Sequence, residues 1–218
     1  MQWFVATRKI QVDTFDSPRN PDSDRYSAMK TSWATSSAIC RSCIQRKQSE
    51  IRTRSQTTRP KCFQDGENFY YLGRGYPLES SKRLKPPLIL NSTFSLAESA
   101  RKDAAQVFKE WYRERCREVV TARAIFHAQR LSLRYQNIRI TSARTRWGSC
   151  SSKGNLNFSW RLVMAPCEVI DYVVVHELCH LKEPNHSKKY WSRVAAAMPD
   201  YRSHRNWLKD NGPNFNIF

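Results

Sequence analysis

Pro166-Cys167-Glu168-Val169-Ile170-Asp171-Tyr172-Val173-Val174-Val175-His176-Glu177-Leu178-Cys179-His180 reads as one helix. Pro166 suits a first turn, where its missing N–H costs nothing, and Glu168 and Asp171 bring negative charge to the positive end of the helix. Val169, Ile170, Val173, Val174 and Leu178 form an apolar surface too broad for a helix lying on the outside, so the helix is expected to be largely buried. Into this apolar frame the sequence places three polar side chains. His176 and His180 stand at i and i+4, on one face and roughly 6 Å apart along the axis, so two ring nitrogens can share one ion. Glu177 lies beside them but off their axis. A carboxylate on a mostly apolar helix has little reason to be there without a metal or a cationic partner.

A hydrolytic zinc site needs three protein ligands and an open position, so a third ligand has to reach in from outside the helix. His186 is the candidate, because three of the five histidines fall between 176 and 186 while His127 and His204 stand alone. The pattern implies one Zn2+ per chain. Zinc would polarise a carbonyl and acidify a water, and Glu177 would accept the proton and pass it to the leaving group. Five residues separate His180 from His186, the count of the metzincin peptidases, but the position where those have a turn glycine is Glu183, followed by Pro184. Proline biases Glu183 toward extended backbone, so the chain should leave the helix by another route and deliver His186 to the start of the next helix.

Upstream of the helix, Ile138, Ile140, Trp147, Leu156, Phe158, Trp160 and Leu162 alternate around Ser151-Ser152-Lys153-Gly154, which predicts a twisted hairpin over 134–164. Ala104, Phe108, Trp111, Cys116, Val119 and Val120 recur at helical spacing and predict one long helix, or two in succession, through about Gln129. The S-x-x-E spacing of Ser95-Leu96-Ala97-Glu98 predicts a helix start there. Phe63 to Gly73, with Asp65-Gly66 as turn signal, predicts the start of a small sheet. Downstream, a helix carrying Tyr190, Trp191, Val194 and Ala197 should stop at Pro199, and a short one should run through Trp207 and Leu208 to Gly212.

Residues 1–61 show no sustained period and are left unassigned, a basic segment rich in Ser and Arg. Within it Cys40 and Cys43 form a lone CxxC without the second pair that a zinc ribbon needs. The seven cysteines of the 218-residue chain are scattered and odd in number, which suits a reducing compartment better than a disulfide framework. No apolar run is long enough for a membrane span or a secretory signal, so a cytoplasmic protein with no membrane contact is expected. Net charge is +18, with the excess at both ends, 1–61 and 121–218, and it favours polyanionic partners such as nucleic acid, bound nonspecifically.

Thr145-Arg146-Trp147-Gly148-Ser149-Cys150, Asn155-Leu156, Asp171 to Leu181 and Asn185-His186-Ser187-Lys188 together resemble the YgjP-like metallopeptidases, relatives of the SprT-like zincins. The resemblance covers roughly 62–212, leaves 213–218 as a tail, and does not extend to 1–61, which is atypical for the family. It implies an α+β, zincin-like fold, a small antiparallel sheet packed on helices that include the HExxH helix. It also implies that His176, His180 and His186 hold the metal, that Glu177 is catalytic, and that Arg146 lies on a strand edge near the cleft, either contacting substrate or packing. The expected activity is hydrolysis of peptides or proteins. The alternatives are metal-dependent hydrolysis of a nucleoside triphosphate, which no Gly-rich phosphate loop supports, and a basic nucleic-acid-associated zinc protein without catalysis, which the complete HExxH opposes.

Overall fold

The computed structural model describes residues 61–217, and both the Cys40–Cys43 pair and nearly all of the unassigned segment 1–61 lie outside them. The described chain is α+β, two small sheets packed on helices. The first sheet has strands β1 (Asn68–Tyr71), β2 (Arg74–Ser81), β3 (Leu88–Leu90) and β4 (Phe94–Ala97) in the order β1-β2-β4-β3. The second has β5 (Ile138–Thr141), β6 (Gly148–Cys150) and β7 (Leu156–Ser159) in the order β5-β7-β6. Both sheets are mixed. β2 runs parallel to β4 and β5 parallel to β7, pairings that alternation within single strands does not reveal.

Helix α1 (Ala104–Arg130) buries Ala104, Phe108, Tyr112, Cys116, Val120, Ala124 and Ala128, one residue in every four. Four residues advance an α-helix by about 40° more than a full turn, so this stripe winds around the helix as it climbs. The same helix can therefore serve two partners. Near its start Phe108 stacks on Phe69 of β1 with centroids 4.2 Å apart, and the Tyr112 hydroxyl donates to the carbonyl of Tyr70 at 2.8 Å. Farther along, α1 meets α2 (Cys167–Cys179), the helix read first from the sequence. Helices α3 (Lys188–Ala197) and α4 (Tyr201–Asn211) complete the described chain before a short 3-10 turn, Gly212–Phe215.

Two turns depart from the expected pattern. The Asp65-Gly66 turn precedes β1 but does not close its hairpin; Leu72 and Gly73 do, with φ of 47° and 81°, the paired left-handed geometry that suits strand twist. Their amides donate to the carbonyls of Val163 and Met164, so the hairpin tip is tied to the 3-10 turn Trp160–Met164 that leads into α2. Gly73 is obligatory there, since a Cβ would lie 3.0 Å from the Cα of Pro166. The predicted helix start at Ser95 is not observed. Ser95 lies inside β4, the next turn is a 3-10 helix from Glu98, and its N-cap is Ala97 with no side-chain cap, because sheet pairing with Glu79 and Ile89 takes Ser95.

A partly buried cluster fastens α2 to α1. Asp171 accepts a two-pronged contact from Arg123 of α1, and the His127 ring, 3% exposed, lies with Nε2 3.0 Å from Asp171 Oδ1. Burial alone would raise the carboxyl's pKa, but the His127 ring and the Arg123 guanidinium outweigh it and hold the carboxyl below its ordinary value. A depressed carboxylate contributes stability that is complete above its unfolded pKa of about 3.9 and is lost as pH falls through the lower folded value. Asp171→Asn should therefore lower unfolding free energy by about 1–2 kcal/mol at pH 7, after allowance for the part-exposed arginine. The deficit should shrink as urea melts are repeated down to pH 3; an equal deficit at both pH values would refute the assignment.

Candidate metal centre

His176, Glu177 and His180 emerge from the last turn of α2, where His176 is 4%, Glu177 2% and His180 6% exposed. The chain then leaves the helix through Leu181 and Lys182, and no residue from 181 to 187 adopts positive φ. That exit needs no glycine, in keeping with Glu183-Pro184 in the sequence. It brings His186 back over the helix end, one residue before Ser187, whose hydroxyl accepts from the Tyr190 amide at 3.3 Å and caps α3.

Three imidazoles thus converge. Nε2 of His176 lies 3.4 Å from Nε2 of His180 and 3.1 Å from Nε2 of His186, and the ligand atoms of the three all fall within 4.8 Å of one another. The donor set, three nitrogens in their neutral form, fits a borderline-soft cation such as zinc. Burial drives the rings toward that neutral form, pulling His180 down to about 4 and His176 well below its ordinary value, and it lowers His186 as well. His180 Nδ1 lies 3.0 Å from the Glu183 carbonyl, an arrangement that commits this nitrogen to the backbone and turns Nε2 inward.

The residues that hold the rings in place were read from the sequence only as the apolar face of a helix. Tyr190 stacks on His180 with centroids 4.4 Å apart, and its hydroxyl donates to the His176 carbonyl at 3.0 Å. Trp191 stacks on His186 at 5.6 Å and on Tyr201 of α4 at 5.5 Å, with the Arg205 guanidinium 5.0 Å over its ring. The visible signal was their position, four and five residues after His186 on the first turn of the following helix. His204 takes no part; its Nε2 lies 2.9 Å from Asp200 Oδ2 on α4.

Glu177 faces β6. A Cβ built on Gly148 would lie 2.5 Å from Glu177 Oε1, so the strand backbone approaches the carboxylate as closely as glycine alone permits. Oε2 is buried with no hydrogen-bond partner among the described residues. Burial pushes the carboxyl up to about 8 in this cleft, opposed in part by the charge of Arg146. Arg146 itself is exposed and lies two residues before β6, on the segment entering the strand edge and not in the strand. Trp147, Tyr172 and Leu208 line the cleft together with His176 and Glu177.

A family model described as YgjP-like, metallopeptidase domain, matches residues 33–211. The chain belongs to the YgjP-like family. Its domain is therefore that of a metal-dependent peptidase, and the matched span begins inside the segment 1–61. No curated protein matches the sequence. Among solved structures, the metallopeptidase zymogen abylysin of Pyrococcus abyssi is similar at 21% identity and a TM-score of 0.38, over 41% of this chain and 90% of that chain.

Within this YgjP-like domain, the contact between Gly148 and Glu177 is the tightest constraint on the carboxylate. Gly148→Ala should push Glu177 aside without touching a histidine, and a displacement of about 1 Å at a reacting group costs up to about 10²-fold in rate. Hydrolytic activity should fall by that order while bound metal, measured by elemental analysis, stays unchanged. Wild-type activity in the variant would show that the carboxylate's position is immaterial.

Proposed function

We propose that the chain is a zinc peptidase in which His176, His180 and His186 hold one zinc ion and Glu177 is the general base. The observation that carries this reading is the convergence of three imidazole nitrogens, two of them from buried rings, beside a buried carboxylate whose Oε2 has no hydrogen-bond partner among the described residues. Zinc, when bound, supplies Lewis acidity toward a carbonyl and lowers the pKa of a coordinated water to about 7. Everything else is done by the chain. Glu177 Oε2 takes the proton and returns it to the departing amine, while the backbone at Gly148 packs against Oε1 and limits the swing of the carboxylate. Tyr190 and Trp191 hold the rings of His180 and His186, and the Glu183 carbonyl sets the His180 tautomer.

Strand β6 stands at the edge of its sheet and runs past Glu177, which suits an extended peptide laid alongside it. Arg146, at the entrance to that strand, is placed to meet the substrate's backbone or an acidic side chain. No described helix is long and apolar enough to cross a membrane.

Glu177→Gln keeps shape and hydrogen-bonding reach but cannot accept a proton. It should retain about one zinc per chain and lose about 10²–10⁴ in rate on casein or mixed peptides. His186→Ala should lose metal affinity by a large factor and His204→Ala should not, as read by competition with a chromophoric chelator. Turnover of nucleoside triphosphates in place of peptides, or a Glu177→Gln variant as fast as wild type, would sink the proposal.

A further inference from the structure

Residues 181–187 carry the chain from the end of α2 to the start of α3, and Glu183, midway between His180 and His186, is tied in three directions. Its amide donates to the Cys179 carbonyl at 3.1 Å, which continues the helical path by one turn. Its carbonyl lies 3.0 Å from Nδ1 of His180. Its side chain reaches the other way, to α3, where Oε1 lies 2.8 Å from Lys189 Nζ and 3.7 Å from an Arg193 nitrogen. Lys189 and Arg193 stand at i and i+4 and so share one face of that helix. The Glu183 side chain is 15% exposed against 75% and 42% for the two cations, so the carboxylate is sheltered and its partners come to it from solvent. Pro184 follows with a fixed φ and no N–H, and the Ser187 amide donates to the Asn185 carbonyl at 2.8 Å, which leaves little freedom on the short path to His186.

We propose that Glu183 is a positioning residue for the metal centre, whose ion pairs with Lys189 and Arg193 latch the loop 181–187 onto α3 and thereby set the rings of His180 and His186. The inference rests on the zinc reading above. One side chain, three residues from each of two ligands, fixes the carbonyl that orients the first and the backbone that delivers the second. A ligand set held near its bound geometry spends less of its binding energy on ordering the loop, so the latch strengthens zinc binding without touching the ion. Because the latch is made of partly exposed charges, it weakens as salt screens them, and zinc affinity takes on a dependence on ionic strength.

The test uses the full chain, with zinc itself as the probe. Glu183→Gln keeps the carbonyl and the side-chain shape, so the zinc Kd, read by competition with a chromophoric chelator, should rise about 2- to 10-fold at low ionic strength, the range two exposed ion pairs can supply. The ratio of variant to wild-type Kd should approach one in about 1 M salt, where the screening length falls to about 3 Å. Glu110→Gln, which removes a carboxylate from α1, should leave Kd unchanged. Adding Lys189→Glu to Glu183→Lys restores the net charge and an ion pair, and it should recover part of the affinity that Glu183→Lys loses. Amide hydrogen exchange after chelator treatment needs no metal, and the amides of 181–183 should exchange faster in Glu183→Gln than in wild type. If far-UV circular dichroism shows Glu183→Gln unfolded, Lys189→Gln, at an exposed position, is read in the same way. Unaltered exchange, a wild-type Kd at low salt, a deficit undiminished in 1 M salt, an equal deficit in Glu110→Gln, or no recovery with Lys189→Glu overturns the latch. Wild-type protein that takes up no zinc overturns the zinc reading instead, and the exchange measurement still decides whether the latch exists.

Discussion

The structure is organised around the burial of one carboxylate and two imidazoles at the end of a valine-rich helix. Desolvation of an ionised group costs several kcal/mol even after relaxation, so α2 must either neutralise its polar residues or give them a cation. Burial does the first, lowering the histidines toward the neutral form and raising Glu177 to about 8. The neutral imidazole is also the form that ligates. The same desolvation that makes the site expensive to fold therefore prepares its donors, and a bound cation would restore the charge on Glu177 by opposite-sign attraction.

That expense explains why neighbouring elements crowd this helix end. α1 holds α2 through Arg123, His127 and Asp171, between one and two turns before His176, and β6 touches Glu177 at a glycine. α3 supplies Tyr190 beneath His180 and Trp191 beneath His186, and α4 continues that stack with Tyr201. The third histidine, His186, comes from a loop, the least rigid kind of support. Its ring is fixed by the aromatic layer behind it, at little entropic cost because tyrosine and tryptophan have few rotatable bonds.

What could be read from the sequence was what is local. The i, i+4 histidines, the glutamate between them, the return of a third histidine before a capped helix and the long α1 stripe are all set by short-range periodicity. The parallel pairings of β2 with β4 and β5 with β7 depend on crossovers, and nothing within a four-residue strand announces its partner. Ser95 failed as a helix start because its capping pattern was also a legitimate strand, and the sheet offered more partners. Tyr190 and Trp191 looked like ordinary core, since aromatic residues on an amphipathic helix normally are. The burial of Arg161 on the 3-10 turn after β7 was invisible, because a buried arginine and an exposed one are the same letter.

One short segment joins Ser142, where Arg113 and Arg161 donate, to the cleft. Residues 142–147 run from Ser142 to Gly148 beside Glu177, and Ser159 of β7 pins the segment twice. The Ser159 hydroxyl donates to the Ala143 carbonyl and its amide to the Trp147 carbonyl, both at 2.8 Å. Ser159 is 1% exposed, so these bonds are sheltered from water and hold the segment to one path. The position of Glu177 is then set by a strand whose approach is fixed on one side by β7 and on the other by the helix carrying His176 and His180. Gly148 lies where the two meet, which is why the smallest side chain in the domain controls the freedom of its most buried carboxylate.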